Sequence, residues 1–168
     1  MITYVFKRIG FRVTSDFNSI EEILALSEDA HLTFDGAYDT VWQNREALRG
    51  RNVTLFFCWA NVGKDNKKDL NQPYGRYLEW EQLFALKCAY GFKLGYNSFS
   101  YRDLVSLTDE QIKMEITPPF PMDSFAYPYG SVNKRVANLV QQMGYKEAYA
   151  LSNGDGSQFS KKRAPLNW

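Results

Sequence analysis

The side chains able to do chemistry are few, and their spacing limits what they can do. The chain of 168 residues has one histidine, His31, and two cysteines, Cys58 and Cys88. A zinc site needs imidazole, thiolate or carboxylate ligands in threes or fours. If His31-Leu-Thr-Phe-Asp35 is a strand, His31 and Asp35 share a face, but they then stand roughly 13 Å apart at about 3.3 Å per residue, too far to grip one ion. Asp39, four residues beyond Asp35, can approach it and form a two-carboxylate oxygen site of the kind magnesium or calcium takes. The plainer readings are that Asp39 is a charge in the first turn of a helix, where the dipole favours it, and that His31 is a hydrogen-bonded interior histidine. Asn153-Gly-Asp-Gly-Ser157 begins like a calcium loop, but Ala164 stands where the closing Glu belongs, so it reads as a turn. Cys58 follows Leu-Phe-Phe and Cys88 sits in a helical pattern. Both read as buried free thiols, which favours a reducing, cytoplasmic setting.

The elements that must position these residues alternate between strand and helix. Ile2–Phe6, His31–Asp35, Val53–Trp59, Lys93–Asn97, Ser124–Tyr127 and Glu147–Leu151 read as strands, and Ala164–Trp168 as a segment that closes the sheet. Val53–Trp59 is continuously apolar but for Thr54, as expected of a strand buried on both faces. Ser19-Ile-Glu-Glu22 and Thr108-Asp-Glu-Gln111 are capping boxes, opening helices to about Leu26 and Ile116. Further helices are expected over Tyr38–Leu48, Leu78–Tyr90 and Asn133–Met143. Residues 60–76 form a long polar loop, a length often used for a lid or binding arm. Repeated β-then-α units predict one α/β domain over residues 1–168, an irregular (β/α) barrel of about seven parallel strands.

In such folds ligands bind beyond the carboxyl ends of the strands. The expected ends are Asp35, Trp59, Asn97, Tyr127 with Pro128-Tyr129-Gly130, and Ser152-Asn153. A cleft lined by a carboxylate, an amide, a Trp and several Tyr suits a polyhydroxylated ligand. Nucleotide loops are absent. With a net charge of +1 and no Lys/Arg block, nucleic acid is an unfavoured partner. No apolar run is long enough to span a bilayer, and the opening Met-Ile-Thr-Tyr-Val-Phe-Lys-Arg is broken by charge too early for a signal peptide. Aromatic residues reach 16%. That excess serves either a bulky core or a surface that stacks on sugar rings.

Five segments, in order, resemble the motifs of the polysaccharide deacetylase family. Leu32-Thr-Phe-Asp-Gly-Ala-Tyr38 is similar to T-F-D-D-G, and Thr54-Leu-Phe-Phe57 to the strand that follows it. Tyr77–Leu83 and Gly91–Leu104 are similar to the helix start and to G-h-E-I-G-N-H-[ST]-x-S-H-x-D-L, and Ser124-Phe-Ala-Tyr-Pro-Tyr-Gly130 to the third motif. The resemblance implies metal-assisted removal of acetyl groups from a glycan. It puts Asp35 at the base position and Ser98 in its conserved Ser/Thr slot. The three metal-ligand slots fall on Gly36, Asn97 and Tyr101, however, Ala126 takes the slot of an arginine that orients the base, and no late L-x-H follows Leu151. Gly36 has no side chain, an amide is a poor zinc ligand, and a phenol must lose a proton of pKa about 10.

The resulting expectation is a deacetylase-like domain that is catalytically degenerate and binds no metal. Its cleft would remain as a carbohydrate-binding or scaffold surface for an N-acetylated glycan, with Trp42, Trp59, Tyr96, Tyr101 and Tyr127 as stacking groups. The expected cleft residues are His31, Asp39, Trp59, Asn97, Ser98, Tyr101, Tyr127, Pro128 and Tyr129. Two alternatives stay open. One is an active hydrolase with a non-standard site around Asp35, Asp39, His31 and Tyr101, with zinc or a similar ion only in that case. The other is an assembly subunit with no sugar contact.

Overall fold

Continuous apolar runs can be buried on both faces only in the middle of a layered parallel sheet. The computed structural model, which describes residues 1–10, 17–65, 75–151 and 154–166, puts them there. Strands β1 (Thr3–Phe6), β4 (His31–Asp35), β5 (Asn52–Phe57), β6 (Lys93–Tyr96), β7 (Ser124–Ala126), β8 (Glu147–Tyr149) and β9 (Ala164–Pro165) form one seven-stranded sheet in the order β8-β7-β6-β5-β4-β1-β9. Every pairing in it is parallel. The sheet curls into an irregular barrel. β4 is buried along its whole length and β5 along all but its first residue. A short parallel pair, β2 (Arg8–Ile9) with β3 (Phe17–Asn18), stands apart from the main sheet and is not legible as strand in the sequence.

Helices α1 (Ile20–Leu24), α2 (Asp39–Gln43), α3 (Trp80–Tyr90), α4 (Asp109–Ile116) and α5 (Lys134–Gln142) complete the order. The two expected capping boxes are present: the Ser19 and Thr108 hydroxyls accept from the backbone N–H of Glu22 and Gln111, whose side chains accept in return. A third box, Glu79 with Gln82, starts α3, and Gly91 at φ +73° ends it. α2 stops well short of the expected Leu48. The Asn44 amide donates to the Thr40 carbonyl at 2.8 Å, an alternative to continuing the helix. The strand expected over Val53–Trp59 ends at Phe57, and Trp59 begins a single 3₁₀ turn. The ends of the long polar loop pair as an arm, with Asp65 opposite Arg76 and Tyr77 opposite Tyr38. Residues 66–74 of that loop lie outside the described residues.

The last described segment closes the fold. The Lys161 N–H donates to the Ala148 carbonyl and the Ala150 N–H to the Lys161 carbonyl, both at 2.9 Å, so this stretch runs along β8. Three residues later Ala164 pairs with Tyr4 of β1. One length of chain therefore touches both edges of the sheet and covers backbone groups that would otherwise be left open. Among the described residues, no helix is long and apolar enough to cross a membrane. Both cysteines are free; Cys58 is buried, but Cys88 is exposed, contrary to the expectation from its helical setting, because it lies on the outer face of α3.

His31 begins β4, at the opposite end of that strand from Asp35. Its Nε2 is 2.8 Å from the Thr54 hydroxyl and its ring meets Tyr149 edge-on at 5.7 Å. Burial pulls its pKa down from 6.5 to about 4; Lys93, Arg163 and Lys161 push the same way, and Glu147 opposes them. The folded pKa is thus below the unfolded one. Stability should be intact above pH 6.5 and fall as pH drops toward 4, where the unfolded chain takes up a proton the folded one refuses. The expected loss is on the order of 2–3 kcal/mol. Urea denaturation across this range should show a shallower pH slope in His31→Asn; equal slopes in the two proteins would contradict the assignment.

Candidate functional site

Asp35 ends β4, and its carboxylate meets a guanidinium from the far end of the chain. Arg163 Nη1 donates to Oδ1 at 2.6 Å and Nη2 to Oδ2 at 2.9 Å. Arg163 is 1% exposed and Asp35 7%. The pair is bidentate, which matches the planar fork to the carboxylate. Arg163 also donates through Nη1 to the Thr33 hydroxyl at 3.2 Å and through Nε to the Ala150 carbonyl at 3.1 Å. Its guanidinium lies over the Phe56 ring, 5.6 Å from the centroid. The same region needs a small residue at 126, where Ala126 packs against Phe56 and Tyr149. The arginine missing from position 126 is thus matched by one arriving from the closing segment. Arg163 was not foreseen. The only signal was an arginine ending the run Lys161-Lys162-Arg163 just before the last segment.

The three slots expected for metal ligands hold backbone in place. Gly36 has φ +96°, and a Cβ built on it would come within 2.7 Å of Cε2 of Tyr38. A carboxylate-bearing residue there meets both a strained backbone and the Tyr38 ring. Asn97 is buried and its amide donates to the Ala126 carbonyl at 2.7 Å, stitching the end of β6 to β7. Its Oδ1 has no partner among the described residues. Tyr101 adopts φ +61°, held by its N–H donating to the buried Ser98 hydroxyl at 2.9 Å. Burial pushes its phenol well above the ordinary value, with the Asp35 charge adding to the shift.

Asp35 and Tyr101 share a recess of about 70 Å³ with Lys7, Tyr38, Cys58 and Tyr77. A wider hollow of about 180 Å³ adjoins it, lined by Lys7, Asp35, Tyr101, Tyr129 and Gly130 among others. Lys7, Tyr38, Cys58 and Tyr77 were absent from the expected set. Lys7 could have been found, since it directly follows β1 and so stands at the carboxyl end of a strand, as Asp35 does. Tyr38 and Tyr77 stack at 4.7 Å with their hydroxyls 3.3 Å apart. The Cys58 thiol donates to the Phe99 carbonyl, and burial raises its pKa to about 11, so it is a neutral thiol at pH 7. Among the described residues, no three His, Cys, Asp or Glu side chains are grouped to hold a metal. A carboxylate already paired, a neutral thiol, a neutral amide oxygen and protonated phenols do not fit a divalent ion.

Several expected cleft residues lie elsewhere. His31 is at the other end of β4. Asp39, in the first turn of α2, is half-buried and lines neither hollow; its Oδ2 accepts from Gln43 at 3.4 Å. Tyr127 is 0% exposed, its hydroxyl donating to the Phe159 carbonyl at 2.7 Å, and Pro128 is buried beside it. Tyr96 is also inside the core. Neither Tyr96 nor Tyr127 can stack on a ligand, because their rings fill the barrel instead. Trp42 is half-buried against the Arg45 guanidinium at 4.3 Å. Trp59 is 39% exposed but packs on Trp80, 5.0 Å between centroids, and Tyr129 is 63% exposed over Tyr101 at 4.9 Å. Ser152 and Asn153 lie outside the described residues.

A sequence profile described as polysaccharide deacetylase matches residues 26–148. Solved structures of similar shape include a Streptococcus pyogenes deacetylase in complex with acetate, with TM-score 0.78, 12% identity and coverage of 99% of this chain and 92% of that one. A polysaccharide deacetylase from Bacillus cereus gives 0.71 and 13%, covering 99% and 64%. A de-N-acetylase from Aggregatibacter actinomycetemcomitans gives 0.67 and 10%, covering 99% and 94%. At these identities the likeness carries the fold alone. No match to a curated protein was found.

Two outcomes are expected of mutants at this site. Arg163→Leu should cost about 3–5 kcal/mol, since it strands a buried charge, while Asp35→Leu with Arg163→Leu should cost much less. A coupling below about 0.5 kcal/mol in the denaturation cycle would contradict the pairing. Gly36→Asp should destabilise by about 1–3 kcal/mol through backbone strain and contact with Tyr38. Adding Tyr38→Ala should recover part of that loss; no recovery would mean the ring is not the obstacle.

Proposed function

This chain belongs to the polysaccharide deacetylase family, and from that premise we propose that it keeps the family's fold without its metal-assisted reaction. Its strand-end face then serves to bind or position an N-acetylated glycan. The observation that carries this reading is the use made of the three ligand slots. Gly36 leaves its space to the Tyr38 ring, Asn97 spends its amide N–H on Ala126, and Tyr101 presents a protonated phenol. Hydrolysis of an acetyl group needs an activated water and a stabilised oxyanion. With no ion to activate the water, its base would be a carboxylate whose two oxygens are already bonded to Arg163. The recess at Asp35 is also smaller than the roughly 300 Å³ at which ligand pockets begin. A sugar ring therefore has to lie across the rim, where the exposed Tyr129 lines the wider hollow, with at most a substituent entering.

One observation favours a second reading, in which Asp35 remains a working base. Arg163 gives Asp35 the oriented guanidinium that Ala126 cannot, so the carboxylate is held in one orientation. The two readings separate in an acetate-release assay on N-acetylglucosamine oligomers, run with and without added zinc. The first predicts no release above the uncatalysed background in either condition. Release that disappears in Asp35→Asn, with the fold intact by circular dichroism, would establish the second.

A further inference from the structure

Away from the recess at Asp35, a groove of about 710 Å³ runs between α5 and the loop that follows β8. That volume lies within the roughly 300–1,000 Å³ of ligand sites. The two hollows at Asp35, about 70 and 180 Å³, fall below it. One wall is a helix face. Lys134, Ala137, Asn138 and Gln141 line it, and steps of three and four residues put them on one side of α5. They cover about 10 Å of helix axis, longer than one sugar ring. The opposite wall comes from residues 155–160 and is held in place. The Tyr127 hydroxyl donates to the Phe159 carbonyl at 2.7 Å, Gln158 Nε2 to the Lys146 carbonyl at 2.5 Å, and the Gly156 N–H to the Ser160 carbonyl at 3.1 Å. A groove with fixed walls has less ordering to lose when a ligand enters.

The lining is amphipathic in the way a sugar is. Val132 and Phe159 are partly buried against the core, and Ala137 lies beside them. Around this apolar part stand the amides of Asn133, Asn138, Gln141 and Gln158. An amide sets an acceptor beside its donors, and a sugar hydroxyl is both donor and acceptor. The exposed side chains of Asn138 and Gln141 are bonded to no described residue, so their amides meet solvent. Among the described residues that line the groove, Lys134 and Asp155 are the charged ones, one of each sign, which selects neither a polyanion nor a polycation. The groove also continues from the strand-end face. Gly130 and Leu151 line the wider hollow, and Gly130 lies against the Leu151 side chain. Val132 and Asp155, two and four residues further along those segments, line the groove, at most about 7 Å and about 14 Å away along the chain.

We propose that the groove between α5 and residues 155–160 is a further subsite for an uncharged oligosaccharide, holding the sugar units that continue from the one at the strand-end rim. Asn138 and Gln141 hydrogen-bond the hydroxyls, and Ala137 and Phe159 form the apolar floor. The inference rests on the reading that the rim beside Tyr129 takes an N-acetylated glycan. It adds a length and a direction to that ligand: a chain of several units, leaving the rim past Gly130 and running down α5.

Calorimetric titration of the full chain with the N-acetylglucosamine hexamer tests this, in the unaltered protein, in Asn138→Ala with Gln141→Ala, and in Tyr129→Asn. The double variant changes two exposed helix positions to a good helix former, and Asn tolerates the positive φ of Tyr129, so all three proteins keep the fold. Each variant should weaken the hexamer about tenfold. Affinity unchanged in the double variant but lowered in Tyr129→Asn would overturn the groove and keep the rim. Affinity lowered in the double variant but unchanged in Tyr129→Asn would keep the groove and overturn the rim reading. Tighter binding of a galacturonate or glucosamine hexamer would overturn the preference for an uncharged chain, and no binding of any hexamer would overturn both readings.

Discussion

A nearly buried guanidinium and carboxylate, paired where β4 meets the mouth, tie the closing segment to the sheet. Taking the two charges out of water costs several kcal/mol each. The parallel fork of Arg163 on Asp35 offsets much of that, with the Thr33 hydroxyl and Ala150 carbonyl satisfying further donors. The pair also has a topological role. Asp35 lies on β4, inside the sheet, and Arg163 on the segment that runs from β8 to β1. The contact therefore fixes the closing segment against the barrel interior, while its backbone covers both sheet edges. Geometry at the mouth follows, because Asp35 and Gly36 start the turn that carries Tyr38 into the recess.

That turn explains how a mouth can keep its shape with different contents. In a fold built to hold a cation, side chains at the strand ends must converge on one point. Here they diverge into structural bonds. Asn97 bridges β6 and β7, Ser98 holds the turn to Tyr101, and the Tyr38 and Tyr77 rings stack over the end of β4. Each bond rigidifies the rim. What is left facing outward is a set of N–H and O–H donors around a carboxylate that is already paired.

Much of the fold was legible in the sequence, for local reasons. Val53–Trp59 reads as a doubly buried strand because nearly every residue is apolar, and the Ser19 and Thr108 boxes announce helix starts within four residues. The alternation of such units implies a parallel sheet before any distance is known. The site was legible only where it lay within a motif. Asp35 and Tyr101, which line the recess, lie in such motifs, but Arg163 is 128 residues from its partner and belongs to no periodic pattern. Tyr96 and Tyr127 illustrate a second limit. Their type suits a binding face, but which side of the strand faces the core depends on packing, and both rings turned inward. Cys88 fails for a related reason, since α3 has too weak an apolar stripe to tell its faces apart.

The claim on which the rest depends is that the strand ends no longer offer a divalent ion a set of ligands. Titrating zinc into the purified, chelator-treated chain and following the heat tests it most directly. The account predicts no stoichiometric binding at micromolar concentrations, and the same absence in Asp35→Asn. Binding of one zinc per chain that Asp35→Asn abolishes would contradict it.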